Sequence, residues 1–375
     1  MASMAGVLGL IFSDMHDMTI TELTKMRTTG SVPYGARYRL IDFPLSNMAN
    51  SGISQIGVVT KSNYQSLLDH LGAGGEWDLS RKTGGLQLLP PYGQANISGL
   101  YKGRLDALSG IAHYIVKAKA EYVIMSDADV IAAMDYQEIL DYHISKGADI
   151  TIVYGKGEYE EERLKTKTVL RVNDDGQVYE VLVRPETSGS FNVSLNAYVI
   201  RKDLLLQLVR EGAAKNIYSF ENDVIQARCK EFKICGYRFN NYFAQIDSMM
   251  TYFRANMELL NSNVRTALFN ADNPIYTKVR DDAPAKYEIG AKVNNSIVAD
   301  GCIIEGEVSN CVLFRGVKIG KGAVVRNAVV MQDTVVGEKC ELNYVIIDKD
   351  AKIGSFRSLF GTESYPVFVG KGANV

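Results

Sequence analysis

Aliphatic residues recur at steps of six through the last quarter of this chain. Leu313, Ile319, Val325 and Met331 fall at that spacing, as do Val324, Val330 and Val336, and later Ile347 and Ile353. Gly, Asn, Asp and Lys separate them, and "VKIGKGAVVRNAVV" is the clearest unit. Neither an amphipathic helix nor a half-buried strand has that period. A parallel β-helix does, because each coil sets its aliphatic residue on the one below. The spacing predicts stacked coils over 288–375 rather than a meander of antiparallel strands.

The preceding 262 residues read differently. Short apolar strands ("VLGLIF", "QIGVVT", "EYVIMSDADV", "ADITIVYG") alternate with helical stretches such as "SNYQSLLDHL" and "RLDALSGIAHYIVKAKA". In the latter, Leu105, Leu108, Ile111, Ile115 and Val116 share one face. Such alternation argues for an α/β fold with a mixed, mainly parallel sheet covered by helices. Ligands in such sheets sit at the carboxyl ends of strands, so Ser13–Thr19 and Asp127–Asp129 are expected to line one crevice. Residues 263–287 are read as the linker between the two domains, 1–262 and 288–375.

Composition narrows the function classes. A formal net charge of −2 over 375 residues gives no reason to expect nucleic acid or an anionic membrane as partner. No apolar run reaches the length of a membrane span, and no signal-peptide pattern is visible. The five cysteines are scattered, which suggests neither a disulfide framework nor a zinc site. A soluble cytoplasmic protein is the expectation.

The segment after the first strand is unusual. A nucleotide-binding strand normally runs into glycines, whose bare backbone can turn N–H groups onto phosphate. Here it runs into Ser13-Asp14-Met15-His16-Asp17-Met18, with two carboxylates and no glycine. Such a loop is expected to repel anions, His16 being a solvated side chain within it.

At "GSVPYGARYRLIDFPLSNMANSGI" the sequence resembles the ADP-glucose pyrophosphorylase (glucose-1-phosphate adenylyltransferase) family. The likeness continues through "YQSLLDHLG", "YKGRLDAL", "AAMDY", "YFRANMELL" and the C-terminal repeat, covering essentially the whole chain. It implies a Rossmann-like nucleotidyltransferase domain followed by a left-handed parallel β-helix. The implied reaction joins ATP and glucose 1-phosphate into ADP-glucose and pyrophosphate. That chemistry needs phosphate donors, a cation on the transferring group and carboxylates for Mg²⁺.

Set against the family, the machinery is degenerate. The triphosphate loop G-G-x-G-x-R-L falls on Asp14 to Ile20, so Asp14 and Asp17 replace glycines and Thr19 replaces the arginine. Of the two metal-binding acids, one is kept as Asp129 and the other becomes Gln245, with Asp247 two residues on. The E-K-P motif is Val183-Arg184-Pro185. Gln65, Tyr101, Gly103, Asp106, Arg184 and Ser194 are read as a vestigial substrate-binding set, in which Arg104-Leu105 replaces a Thr-Ala pair. Arg37 and Arg39 are candidates for an effector anion, structural salt bridges being the other use open to them. Trp77, the single tryptophan, is read as packing a loop.

These losses together point to a catalytically silent subunit of the D type, with no catalytic residue and no cofactor of its own. Mg²⁺ would belong to a homologous catalytic adenylyltransferase in a hetero-tetramer, and sugar phosphates would be effectors. Three alternatives stay open: an active adenylyltransferase holding metal through Asp14, Asp17, Asp129 and Asp247, a self-standing sugar-phosphate sensor, and a β-helix acyltransferase. The last is weakened because no histidine follows His143.

Overall fold

The computed structural model describes residues 3–91 and 101–375. Strand Val7–Phe12 is buried at every position. Its alternation divides the core: Leu8, Leu10 and Phe12 enter one apolar cluster, Val7 and Ile11 the other. It lies parallel between Gln55–Val59 and Tyr122–Asp127, and Gly85–Leu89 continues the parallel half. A side chain at Gly9 would meet the Met48 sulfur at 2.7 Å, so the bare backbone lets helix Asp42–Asn50 approach the sheet. Beyond Tyr122–Asp127 the long strand Gly189–Arg201 runs antiparallel and shifts register between Ser194 and Ala197. It completes a mixed sheet of nine strands.

The segment expected as one helix forms two, Arg104–Gly110 and Ala112–Lys117, meeting at Ile111. Leu105, Leu108, Ile111 and Ile115 are buried as the periodicity predicts, whereas Val116 is 53% exposed. The break at Ile111 turns Val116 away from the shared face. Trp77 is buried and its indole N–H bonds Ser46 Oγ at 3.2 Å, a packing role.

The C-terminal region is a parallel β-helix. Ile304, Ile319, Val336 and Ile353 stand in register on one face, and Val308, Val325, Leu342 and Leu359 on the next. Corners are turned at Asn295, Asn310 and Asn327, each at positive φ, where asparagine is tolerated better than most residues. Their amides bond one another up the stack. Coils begin earlier than the sequence suggests. Lys286–Tyr287, assigned to the linker, already pairs with Ile303–Ile304, and the linker opens with helix Ser262–Leu268.

The third face is apolar on both sides, which explains the triplets "CVL", "AVV" and "VII". Cys311, Leu313, Ala328, Val330, Val345 and Ile347 fill the inside of the coil. Val312, Val329 and Ile346 belong instead to a cluster with Tyr252 and Phe253 of helix Met249–Glu258. A buried ion pair adds to this join: Arg27 donates to both oxygens of Asp348, at 2.9 and 2.8 Å.

Candidate functional site

Strands Val7–Phe12 and Tyr122–Asp127 end side by side, with Phe12 opposite Asp127. Loop Ser13–Thr19 crosses that edge and is tied down by its own side chains. Ser13 Oγ donates to Val59 O at 3.0 Å, and Asp14 accepts from the Lys61 N–H. Asp17 Oδ1 accepts from both the N–H and the hydroxyl of Thr29, each at 2.7 Å. Thr19 Oγ1 donates to His16 O at 2.7 Å.

The expected anion-repelling charge is smaller than the residue types imply. Burial pushes Asp14 up to about 7 and Asp17 up to about 6. Near neutrality Asp14 is about half protonated. Both residues are used inwardly, as anchors of the loop.

His16 corrects the sequence reading more strongly. Its Nε2 lies 2.8 Å from Asp127 Oδ2 and 3.7 Å from Asp129 Oδ2, inside the crevice rather than in solvent. Burial alone would lower the imidazole, but Asp129 and Asp127 outweigh it and hold it at about 9. Arg104 lies on the other side of Asp127. It donates to both Asp127 oxygens, at 2.6 and 2.8 Å, and through Nε to Glu221 at 2.9 Å. The guanidinium is 4.5 Å from the centre of the Phe12 ring and 5.3 Å from that of Tyr198, and the residue is only 2% exposed. Burial would raise Asp127, yet Arg104 and then His16 bring it down to about 2.

Asp129 is also engaged. Gln245 Nε2 donates to its Oδ2 at 3.0 Å, and Asn196 Nδ2 approaches the same oxygen at 3.3 Å. Asp247, the possible substitute ligand, is committed elsewhere: Lys167 Nζ holds its Oδ2 at 2.5 Å, and Thr251 donates to Oδ1 at 3.0 Å. His16, Asp127 and Asp129 do place one donor atom each within 4.8 Å of one another. Mg²⁺, however, asks for free carboxylate oxygens and several waters in an octahedron. A guanidinium fork, an imidazolium and two amide N–H groups occupy those oxygens instead. The residues present do not fit the ion.

The remaining expected substrate residues do not form one pocket of free groups. Tyr101 is buried, and among the described residues its hydroxyl has no partner. Gly103 serves a close approach, since a side chain there would strike Tyr218 O at 2.4 Å. Asp106 accepts from Lys102 N at 2.9 Å. Ser194 Oγ accepts from Asn196 N at 3.1 Å. Gln65 is paired with Asp69 on an exposed helix face. Arg184 is exposed at a φ of 55°, and among the described residues its guanidinium has no partner.

A second charged site lies where the two domains meet. Arg37, Arg39, Lys278, Arg280, Arg315 and Lys349 line a cavity of about 390 Å³, with Asp69, Asp333 and Asp350 among its acids. Arg39 is partly committed, donating to Ser66 O at 2.5 Å. Arg315 is buried; its Nε lies 4.0 Å from Asp282 Oδ2, and among the described residues neither Nε nor Nη2 has a hydrogen-bond partner. Burial pushes Lys349 down to about 7, with Arg39 and Arg27 adding to the effect. Burial likewise lowers Arg39 to about 10.

Comparison with known proteins follows the same division. The Nucleotidyl transferase family matches residues 19–261, and the GlmU-like C-terminal hexapeptide family matches residues 283–359. The chain is 35% identical over 369 residues to the "Glycogen biosynthesis protein GlgD" of Bacillus subtilis (strain 168), covering 98% of this chain and 96% of that one. It is 32% identical over 376 residues to the "Glucose-1-phosphate adenylyltransferase" of Clostridium perfringens (strain 13 / Type A), covering 97% and 94%. The chain belongs to the glucose-1-phosphate adenylyltransferase family. The hexapeptide match makes its coils those of a left-handed β-helix.

Ligands of α/β sheets sit at the carboxyl ends of strands, and in this crevice side chains of the chain itself occupy that place. Asn196, Glu221 and Lys167 are not among the residues expected to form the site, and the sequence reading gives His16 and Arg104, though named in its segments, no role in it. Only Arg104 leaves a signal, as an arginine set among the apolar positions of "RLDALSG". The others are ordinary polar residues whose partners are distant in sequence.

Proposed function

We propose that this chain is a catalytically silent regulatory subunit of a glucose-1-phosphate adenylyltransferase, acting in bacterial glycogen biosynthesis in the cytoplasm. The carrying observation is Arg104 forked onto Asp127 at 2.6 and 2.8 Å in the crevice where a nucleotide would bind. In this reading the chain needs no cofactor, and Mg²⁺ serves the homologous catalytic subunit with which it forms a hetero-tetramer. Its influence runs through subunit contacts that shift the partner between conformations. Among the described residues no helix is long and apolar enough to cross a membrane.

The cavity between the domains supports a regulatory role. Arginine and lysine side chains outnumber acids around it, and among the described residues Nε and Nη2 of buried Arg315 have no hydrogen-bond partner, the Asp282 carboxylate lying 4.0 Å from Nε. That chemistry suits a phosphorylated sugar, and Arg37 and Arg39 fall within it. The alternative of an active site rebuilt on Asp14, Asp17, Asp129 and Asp247 draws no support from side chains that already hold one another.

The deciding assay is pyrophosphate release from ATP and glucose 1-phosphate with Mg²⁺. It should be run for this chain alone and for this chain mixed with its homologous catalytic subunit. Background release alone, with raised turnover or an altered effector response in the mixture, is expected. Sustained release by the chain alone would refute the proposal.

A further inference from the structure

Loss of catalysis leaves the crevice with an electrostatic problem. Where Asp129, the one retained metal-position acid, has no metal beside it, it and the neighbouring buried Asp127 still need positive charge. Asp127 and Asp129 are 0% and 2% exposed, and Glu221 stands beside them across Arg104. Unpaired carboxylates in such a place are strongly destabilising.

We infer that His16 and Arg104 together act as a built-in replacement for a divalent cation. Arg104 brings a permanent positive charge to the acid cluster, and His16 fills the space between its two carboxylates with an imidazole nitrogen. The arrangement is specific. Arg104 takes both oxygens of Asp127 and reaches Glu221, while His16 lies between Asp127 and Asp129. Gln245 and Asn196 then supply neutral donors to Asp129.

Two details favour replacement over incidental packing. The guanidinium is not merely paired but laid over the Phe12 ring, a placement that fixes its plane at the strand ends. His16 comes from the loop without glycines, so the same segment that lacks the phosphate cradle delivers a side chain that occupies the acids. The inference rests on reading the cleft as silent, and it concerns how the cleft stays folded without ligand.

The test is direct binding of Mn²⁺ to the full chain, followed by electron paramagnetic resonance. Wild type is compared with His16→Ala, Arg104→Ala and Arg104→Lys. Wild type is expected to leave Mn²⁺ free under conditions where His16→Ala and Arg104→Ala each hold one additional equivalent. The gain in affinity should be on the order of tenfold or more, since charge count sets affinity at oxygen-ligand sites. Arg104→Lys keeps the charge and should resemble wild type.

Tight binding of one Mn²⁺ by wild type would overturn the inference, as would folded alanine variants that bind no more than wild type. Should Arg104→Ala fail to fold, His16→Ala decides alone, its side chain being at the rim with 24% exposed. The two proposals fail separately. A wild-type chain that binds Mn²⁺ yet releases no pyrophosphate defeats this inference and leaves the regulatory reading intact.

Discussion

The crevice at the strand ends and the cavity between the domains are both lined by charge, and they are built in opposite ways. In the crevice each acid has an opposite charge or an amide against it. In the cavity cations outnumber acids, and Lys349 is driven down to about 7 by burial and by neighbouring arginines. A group whose own chain satisfies it has no free energy left to offer a ligand. A cation left short of partners does, because a bound anion relieves both its desolvation and its repulsion. The contrast favours ligand binding in the cavity, away from the position the fold family would suggest.

Removing Arg104 should break the contrast most severely. Arg104→Ala leaves Asp127 buried with His16 as its one remaining partner and Glu221 nearby, and loss of one partner of a buried pair costs about 3–5 kcal/mol. Urea denaturation should read that loss, with Arg104→Lys losing less. A variant as stable as wild type would mean that the crevice is wet and loosely held.

Next comes the pH dependence of His16. Its folded value of about 9 lies above the ordinary value of 6.5. The folded state therefore binds the proton more tightly than the unfolded state does. The resulting stability is complete below about pH 6.5 and declines as pH rises through about 9. Each tenfold gain in proton affinity is worth about 1.4 kcal/mol, so the decline should be no more than about 3 kcal/mol. Melts of wild type and His16→Gln between those limits should converge at high pH; parallel curves would sever His16 from the acids.

The smallest effect expected is in the cavity. A sugar bisphosphate at ten times its dissociation constant should stabilise the chain by about 1.4 kcal/mol, read as a rise in melting temperature. Arg315→Ala should abolish most of that rise while leaving the melt without ligand close to wild type. A ligand-induced shift that survives Arg315→Ala would place the anion elsewhere.

Much of the architecture is legible in the order of residues alone. Steps of six mark the coils, because each coil has three short faces that each send an aliphatic residue inward. The residues stacked on one another, such as Ile319 and Val336, lie about three steps apart. The first strand of the coils escapes the pattern of six, since Lys286–Tyr287 has no aliphatic pair to mark it and is recruited by pairing with Ile303–Ile304. Val116 departs from its expected face because a helix break at Ile111 is invisible to periodicity. In the crevice, the missing glycines of Asp14–Thr19 are plain to see, but the charge on Asp14 is smaller than its residue type implies. A residue type reports an ordinary pKa, and only burial moves it to about 7.

The sequence by itself determined the two-domain division, the stacked coils and the absence of a phosphate cradle, all of which follow from local composition and spacing. Only the tertiary structure decided what became of the acids left behind. Arg104 and Asp127 are 23 residues apart, His16 and Asp127 are 111 apart, and Gln245 and Asp129 are 116 apart. Sheet register lays Phe12 beside Asp127, a separate antiparallel pair lays Gln245 beside Val130, and helix Arg104–Gly110 brings in the guanidinium. Charge pairing is a property of distance in space, and no local propensity along the chain encodes it.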